Sequence, residues 1–177
     1  MSDRTKIVVK PTGVERPWGV EEIIVSKTDL KGRITYANEI FQRLAQYSEA
    51  ELMGKPHNIV RHPDMPRCVF KFLWDTLEAK KEIFALVVNM AKSGDHYWVL
   101  AHVTPSYDAA GNVISYHSSR RKPDASQIEK IKPIYAALLQ EEARHSSPKD
   151  SLEASYNLLI KTVQSTGLSY DELVFSL

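Results

Sequence analysis

The chain has 177 residues, 43% hydrophobic and 25% charged, ordinary globular values that exclude a wholly disordered, collagen-like or coiled-coil chain and allow one domain with an appended segment. Twenty-three Lys plus Arg against 22 Asp plus Glu leave a net charge of +1, so no overall field draws the chain to nucleic acid or to an anionic membrane. The single cysteine, Cys68, excludes an internal disulfide or a Cys-based metal cluster within one chain, and the longest apolar run, 83–88, falls far short of the roughly 20 residues that span a bilayer. With no apolar signal-peptide core at the N-terminus, a cytoplasmic, soluble protein is expected.

Residues 1–21 read as an N-terminal arm, polar and interrupted by Pro11, Gly13, Pro17 and Gly19, with Trp18 its large anchor. From Glu22 the composition changes. The runs 22–28 and 33–37 are β-rich and joined by a turn ending on Gly32, which predicts a hairpin. Asn38 then precedes Ile40, Phe41, Leu44 and Ala45 at helical spacing and is placed to act as N-cap. Ser48 and Glu51 form a capping-box pattern for a second short helix, stopped by Gly54 and Pro56.

After an irregular stretch, 55–66, apolar residues at 69, 70, 73, 74 and 77 mark one face of a helix. Three strand-like runs follow, 84–90, 97–104 and 113–120, with turns at 92–95 and 108–112, as in an antiparallel meander. The order predicts an α+β domain over 22–122: a five-stranded antiparallel sheet with short helices on one face. Residues 123–177 read as a C-terminal helical extension, two helices at 124–144 and 148–166 and a last apolar turn at 169–175.

The densest polar cluster, 57–66, gathers His57, Asn58, Arg61, His62 and Asp64 in a loop bounded by prolines, a setting where small-molecule contacts often lie. Arg61 offers a planar fork for phosphate or carboxylate, and His62 can donate, accept or stack. The structural alternative is that Asp64 caps the following helix and pairs with Arg61. His96 and His102 share a strand face but stand roughly 20 Å apart, too far to ligate one ion. His57 and His62 with Asp64 lack a recognisable metal-ligand spacing, although a single histidine would suffice for haem. No phosphate loop, nucleophile elbow or Cys–His pair suggests an enzyme, and Cys68 at the start of an apolar helix reads as an inert buried thiol. Asn89, set between Val88 and Met90, needs a partner for its carboxamide, either a backbone group or a ligand with an amide-like edge.

These residues together resemble a PAS domain, and more closely the PAS domain of bacterial aerotaxis and energy-taxis receptors. The resemblance rests on 34–38 with Phe41, on 54–66, on Trp74 and Leu77, on Asn89, on 92–98, on 103–105, and on Gly111 with Tyr116, Ser119 and Arg120. It implies a PAS fold that holds FAD noncovalently and reports its redox state to a chemotaxis receptor system. It also implies cofactor-binding roles for Asn38, Arg61, His62, Asp64, Trp74 and Asn89. Where the family commonly carries a Trp, this chain has Ile83, Phe84 and Ala85, so the aromatic stacking partner is either missing or replaced by Phe84. No cysteine stands at 57 or 58, so photoadduct chemistry is not expected. A soluble homodimer, joined through the arm and a sheet face and signalling in trans to a chemoreceptor, is the expected assembly. The alternatives are a cofactor-free or other-ligand interaction module and, behind it, a haem-based gas sensor.

Overall fold

The computed structural model describes residues 9–177; the first eight residues of the arm lie outside that range. The expected hairpin forms from β1 (Ile24–Thr28) and β2 (Ile34–Ala37), closed by Asp29, whose side chain accepts from the backbone N–H groups of Lys31 and Arg33. Asn38 then caps α1 (Glu39–Ala45) by accepting from Phe41 N. The same carboxamide accepts from Val25 N and donates to Ile23 O, so one side chain ties the helix start to β1. Ser48 and Glu51 complete both halves of the capping box on α2 (Glu49–Leu52).

The stretch 55–66 is less irregular than its composition suggests. It contains a single 3-10 turn, His57–Val60, and it crosses the mouth of the sheet. At one end Pro56 bridges to Arg33 beside β2, and at the other Arg61 bridges to Asn89. The apolar stripe of the next segment forms α3 (Arg67–Glu78), which buries Cys68, Val69, Leu73 and Leu77.

The meander is β3 (Ile83–Met90), β4 (His96–Tyr107) and β5 (Val113–Arg121), and β5 pairs antiparallel with β1, giving the order β2-β1-β5-β4-β3. The arm is used within the chain: Arg16 N donates to His96 O and His96 N to Val14 O, so residues 14–16 line β4 where β5 has already ended. Trp18 is buried, and Lys122 Nζ bonds its carbonyl.

Period-2 alternation separates the two faces of the sheet. Ser26, Ser118, Arg120, Ala101, Val99, Val87 and Asn89 face the short helices, while Leu86, Val88 and Trp98 face the other way. The C-terminal extension, α4 (Ala125–Ala143), α5 (Pro148–Thr166) and α6 (Tyr170–Ser176), does not stay on the helical face. It packs α5 against α3 and carries Tyr135 of α4 to the opposite face, where its ring stacks on Trp98 at 6.4 Å.

That wrapping seals an exposed strand edge. Among the described residues β3 has only β4 as a neighbouring strand, and an open edge presents unpaired backbone groups. Here Phe84 N donates to Asp171 of α6, the Tyr135 hydroxyl donates to Leu86 O, and Val88 N donates to Met65 Sδ at 3.4 Å. Three consecutive outward positions of β3 are thus held by α6, by α4 and by the loop ahead of α3.

Candidate functional site

A cavity of about 340 Å³ lies between the sheet and the wall formed by the 3-10 turn and α3. It exists because the inward positions of the central strands are small or β-branched: Ser26, Thr28, Ser118, Ala101, Val99, Val103 and Val87 leave space that α3 does not fill. Val60, Phe70, Leu73 and Leu77 form the opposite apolar wall. Its volume is that of a small-molecule site, typically about 300–1,000 Å³.

Three of the six residues singled out from the sequence line this cavity: Arg61, Trp74 and Asn89. Asn89 is buried, yet its carboxamide makes no hydrogen bond among the described residues, so both its donor and its acceptor are available to a ligand. Trp74 sits beside the turn between β1 and β2, edge-on to Tyr116 with centroids 5.5 Å apart. Gly32 is required beneath it. Its φ of +73° favours glycine, and a Cβ there would come within 3.1 Å of the indole. Arg61 lies 4.6 Å over the Phe70 ring and donates to Met65 O at 3.4 Å.

The other three lie off the cavity. Asn38 spends its carboxamide on α1, Val25 and Ile23, as described above. His62 is buried with Nδ1 accepting from Asp64 N at 3.1 Å and its ring edge-on to His96, and burial holds its imidazole below the ordinary range. The Asp64 side chain is 77% exposed. Arg61, His62 and Asp64 therefore do not converge on the cavity: the loop turns the imidazole toward β4 and the carboxylate toward water. Two further expectations are corrected. Asp64 neither caps α3 nor pairs with Arg61; α3 has no side-chain cap from its own loop, and Glu142 of α4 takes its first N–H groups instead. Phe84 cannot stack on a cavity ligand, because it occupies the outer face, parallel to His102 at 4.1 Å and against Phe175.

Residues beyond those six also line the cavity. His57 is half-buried on the cavity wall, stacked on Phe41 and 3.1 Å from Ser26 Oγ through Nε2. Burial, with the charge of Arg120 as a second cause, pushes its pKa down to about 3, so the ring is neutral at physiological pH. Arg120 enters from β5, 2% exposed, donating to Ser26 Oγ and lying 4.5 Å over the Phe41 ring. The inward parity of Tyr116, Ser118 and Arg120 along β5 was the available signal. Cys68 lies off the cavity in α3, with burial raising its thiol pKa to about 11.

A flavin is the cofactor that the resemblance implies, and the lining fits one. The cavity is walled by apolar side chains, it carries an uncommitted amide at Asn89, and two guanidinium nitrogens of Arg120, Nε and Nη1, are buried without a partner among the described residues. Among the described residues no helix is long and apolar enough to cross a membrane.

Comparison with known proteins agrees with this architecture. Residues 23–117 match the family model described as PAS fold. Over 122 residues the chain is 39% identical to the aerotaxis receptor of Escherichia coli (strain K12), covering 69% of this chain and 24% of the receptor. Over 99 residues it is 29% identical to a nitrogen fixation regulatory protein of Klebsiella pneumoniae, 56% of this chain and 20% of that one. The chain thus spans about a quarter or less of the length of these relatives. Among solved structures, the dark state of the blue-light photoreceptor Aureochrome1 LOV superposes with a TM-score of 0.55 at 22% identity, over 60% of this chain and 80% of that one, a likeness of fold. The chain belongs to the PAS family, and within it the domain is of the kind found in the aerotaxis receptor.

Proposed function

We propose that this chain is a sensory protein that holds the ring of FAD noncovalently in the cavity and reports its redox state, through its C-terminal helices, to a chemoreceptor-type partner. The observation that carries the reading is the uncommitted Asn89 carboxamide on the cavity wall. A buried amide normally has its partners, and here a ligand with an imide-like edge would supply them. The resemblance to aerotaxis-type PAS domains supports the choice of cofactor, and the similarity to the aerotaxis receptor supports that of pathway.

Bound flavin would supply an electron-accepting ring whose charge and hydrogen-bonding pattern change on reduction. Asn89 would read that change, since rotation of its amide exchanges donor for acceptor. Arg61 would act at the ring's outer side, and Trp74 would close the cavity over the turn at Gly32. Asn38, His62 and Asp64 would contribute indirectly, by fixing α1 to β1 and by shaping the loop that presents Arg61. The route outward is β3 itself. The strand that carries Asn89 is bonded along its edge to Tyr135 and Asp171, so any shift of β3 is felt by α4 and α6. With the arm's described residues engaged on β4, a homodimer in the cytoplasm would use the outer sheet face.

Reconstitution with FAD, followed by absorption spectroscopy, tests the reading. The expected result is a flavin spectrum retained through gel filtration, with Asn89→Ala weakening FAD binding about tenfold, the equivalent of one lost hydrogen bond of about 1.4 kcal/mol. A protein that stays colourless overturns it in favour of a cofactor-free interaction module, and a Soret band overturns it in favour of haem.

A further inference from the structure

At the inner end of the cavity, which its side chain helps to line, Arg120 stands between Ile24 of β1 and Ala101 of β4. Its cation is held by one hydroxyl, Ser26, and one ring face, Phe41. No carboxylate among the described residues pairs with it. It also lies near the His57 ring, neutral at physiological pH, and the buried Tyr97 hydroxyl, itself without a partner among the described residues. Burial drags the guanidinium pKa down to about 10, which still leaves it charged. A buried cation without a counter-charge is costly to a fold, and removing water from it returns nothing unless an anion takes water's place.

We propose that Arg120, with Ser26, forms an anion subsite at the inner end of the cavity, selecting a planar heteroaromatic ligand whose buried edge carries, or acquires, negative charge. On the flavin reading, on which the ligand's identity rests, that edge is the N1–C2 carbonyl side of the ring. Arg120 then favours every form of the ring with extra electron density there. It is a specificity-determining residue in the pocket, separate from the amide that Asn89 contributes.

Two measurements test this. The first uses the protein without cofactor: thermal unfolding of wild type against Arg120→Met and Arg120→Gln. The expected result is a midpoint for at least one variant at or above that of wild type, because the unpaired charge is gone. Both variants unfolding well below wild type would overturn the proposal, since the guanidinium would then serve the empty fold. The second uses the FAD-loaded protein and sulfite, whose sulfur lone pair adds to flavin N5 while the displaced electron pair settles on the N1–C2 carbonyl edge. Wild type should bind sulfite at least about tenfold more tightly than either variant, with Arg120→Lys in between. Equal sulfite affinity overturns the subsite. Wild-type protein that takes up no FAD removes the flavin reading alone, and the unfolding comparison still decides whether Arg120 awaits an anion.

Discussion

Two arginine-bearing corners of this molecule are built on opposite terms. Where α3 meets α4 and α5, Glu142 accepts from Arg67 N at 2.7 Å, Cys68 N at 3.3 Å, Arg67 Nε at 3.3 Å and Ser155 Oγ at 3.2 Å, while Arg67 also donates to Ser151 Oγ. Cation, carboxylate and helix N-terminus are matched there within one chain. At the inner end of the cavity, among the described residues, Arg120 keeps two buried nitrogens unmatched and Tyr97 keeps its hydroxyl unmatched, on the same sheet face as the free amide of Asn89. The closed corner is complete as it stands and belongs to the architecture. The open one is incomplete, and incompleteness inside a cavity is what distinguishes a place for a ligand from a place for a side chain.

The comparison breaks first at Glu142. Replacing it with Ala would strip α3 of its side-chain cap and leave Arg67 without its carboxylate, at a cost of about 3 kcal/mol read from urea unfolding. A loss below about 1 kcal/mol would mean that the two helical layers are joined by apolar packing alone and that the corner is not matched as described. Next in size is Tyr135→Phe. It removes the hydroxyl that satisfies Leu86 O on the buried β3 edge, at a cost of about 1–2 kcal/mol. Hydrogen exchange should show β3 amides opening more readily in that variant while β1 and β2 stay unchanged. If β3 protection is untouched, α4 does not seal that strand and the proposed route from Asn89 outward fails with it.

Much of this was legible in the sequence, and the exceptions share a cause. The stripe at 69, 70, 73, 74 and 77 placed α3, Asn38 announced its own cap, and the turns at 92–95 and 108–112 separated the meander. What failed was direction. In 83–88 every residue is apolar, so alternation could not tell that Phe84 points away from the cavity. In β5 polar residues occupy both faces, which hid the inward row that ends in Arg120. Loop 57–66 has no period, so its wealth of donors could not reveal that His62 and Asp64 turn from the cavity while His57, Asn58 and Arg61 line it. The cap on α3 comes from Glu142, some 75 residues along the chain, a distance at which no local pattern speaks.

The smallest expected effect concerns His57, which shares Ser26 with Arg120 and so belongs to the open corner. Its pKa is about 3 in the fold and 6.5 when unperturbed, so between those values the unfolded chain takes up a proton that the folded chain refuses. Stability contributed by neutral His57 is therefore full above 6.5 and is lost progressively as the pH falls below it, by under about 1 kcal/mol over the first pH unit. His57→Asn should flatten this slope in unfolding measured across acid pH, and parallel curves for wild type and variant would show that the ring is not held neutral. Burial is the larger cause of the depression and the Arg120 charge the second, so Arg120→Met should narrow the window without abolishing it. A ligand bringing negative charge to Arg120 would do the same, which makes the acid limb of the stability curve a sensor of whether the open corner has been filled.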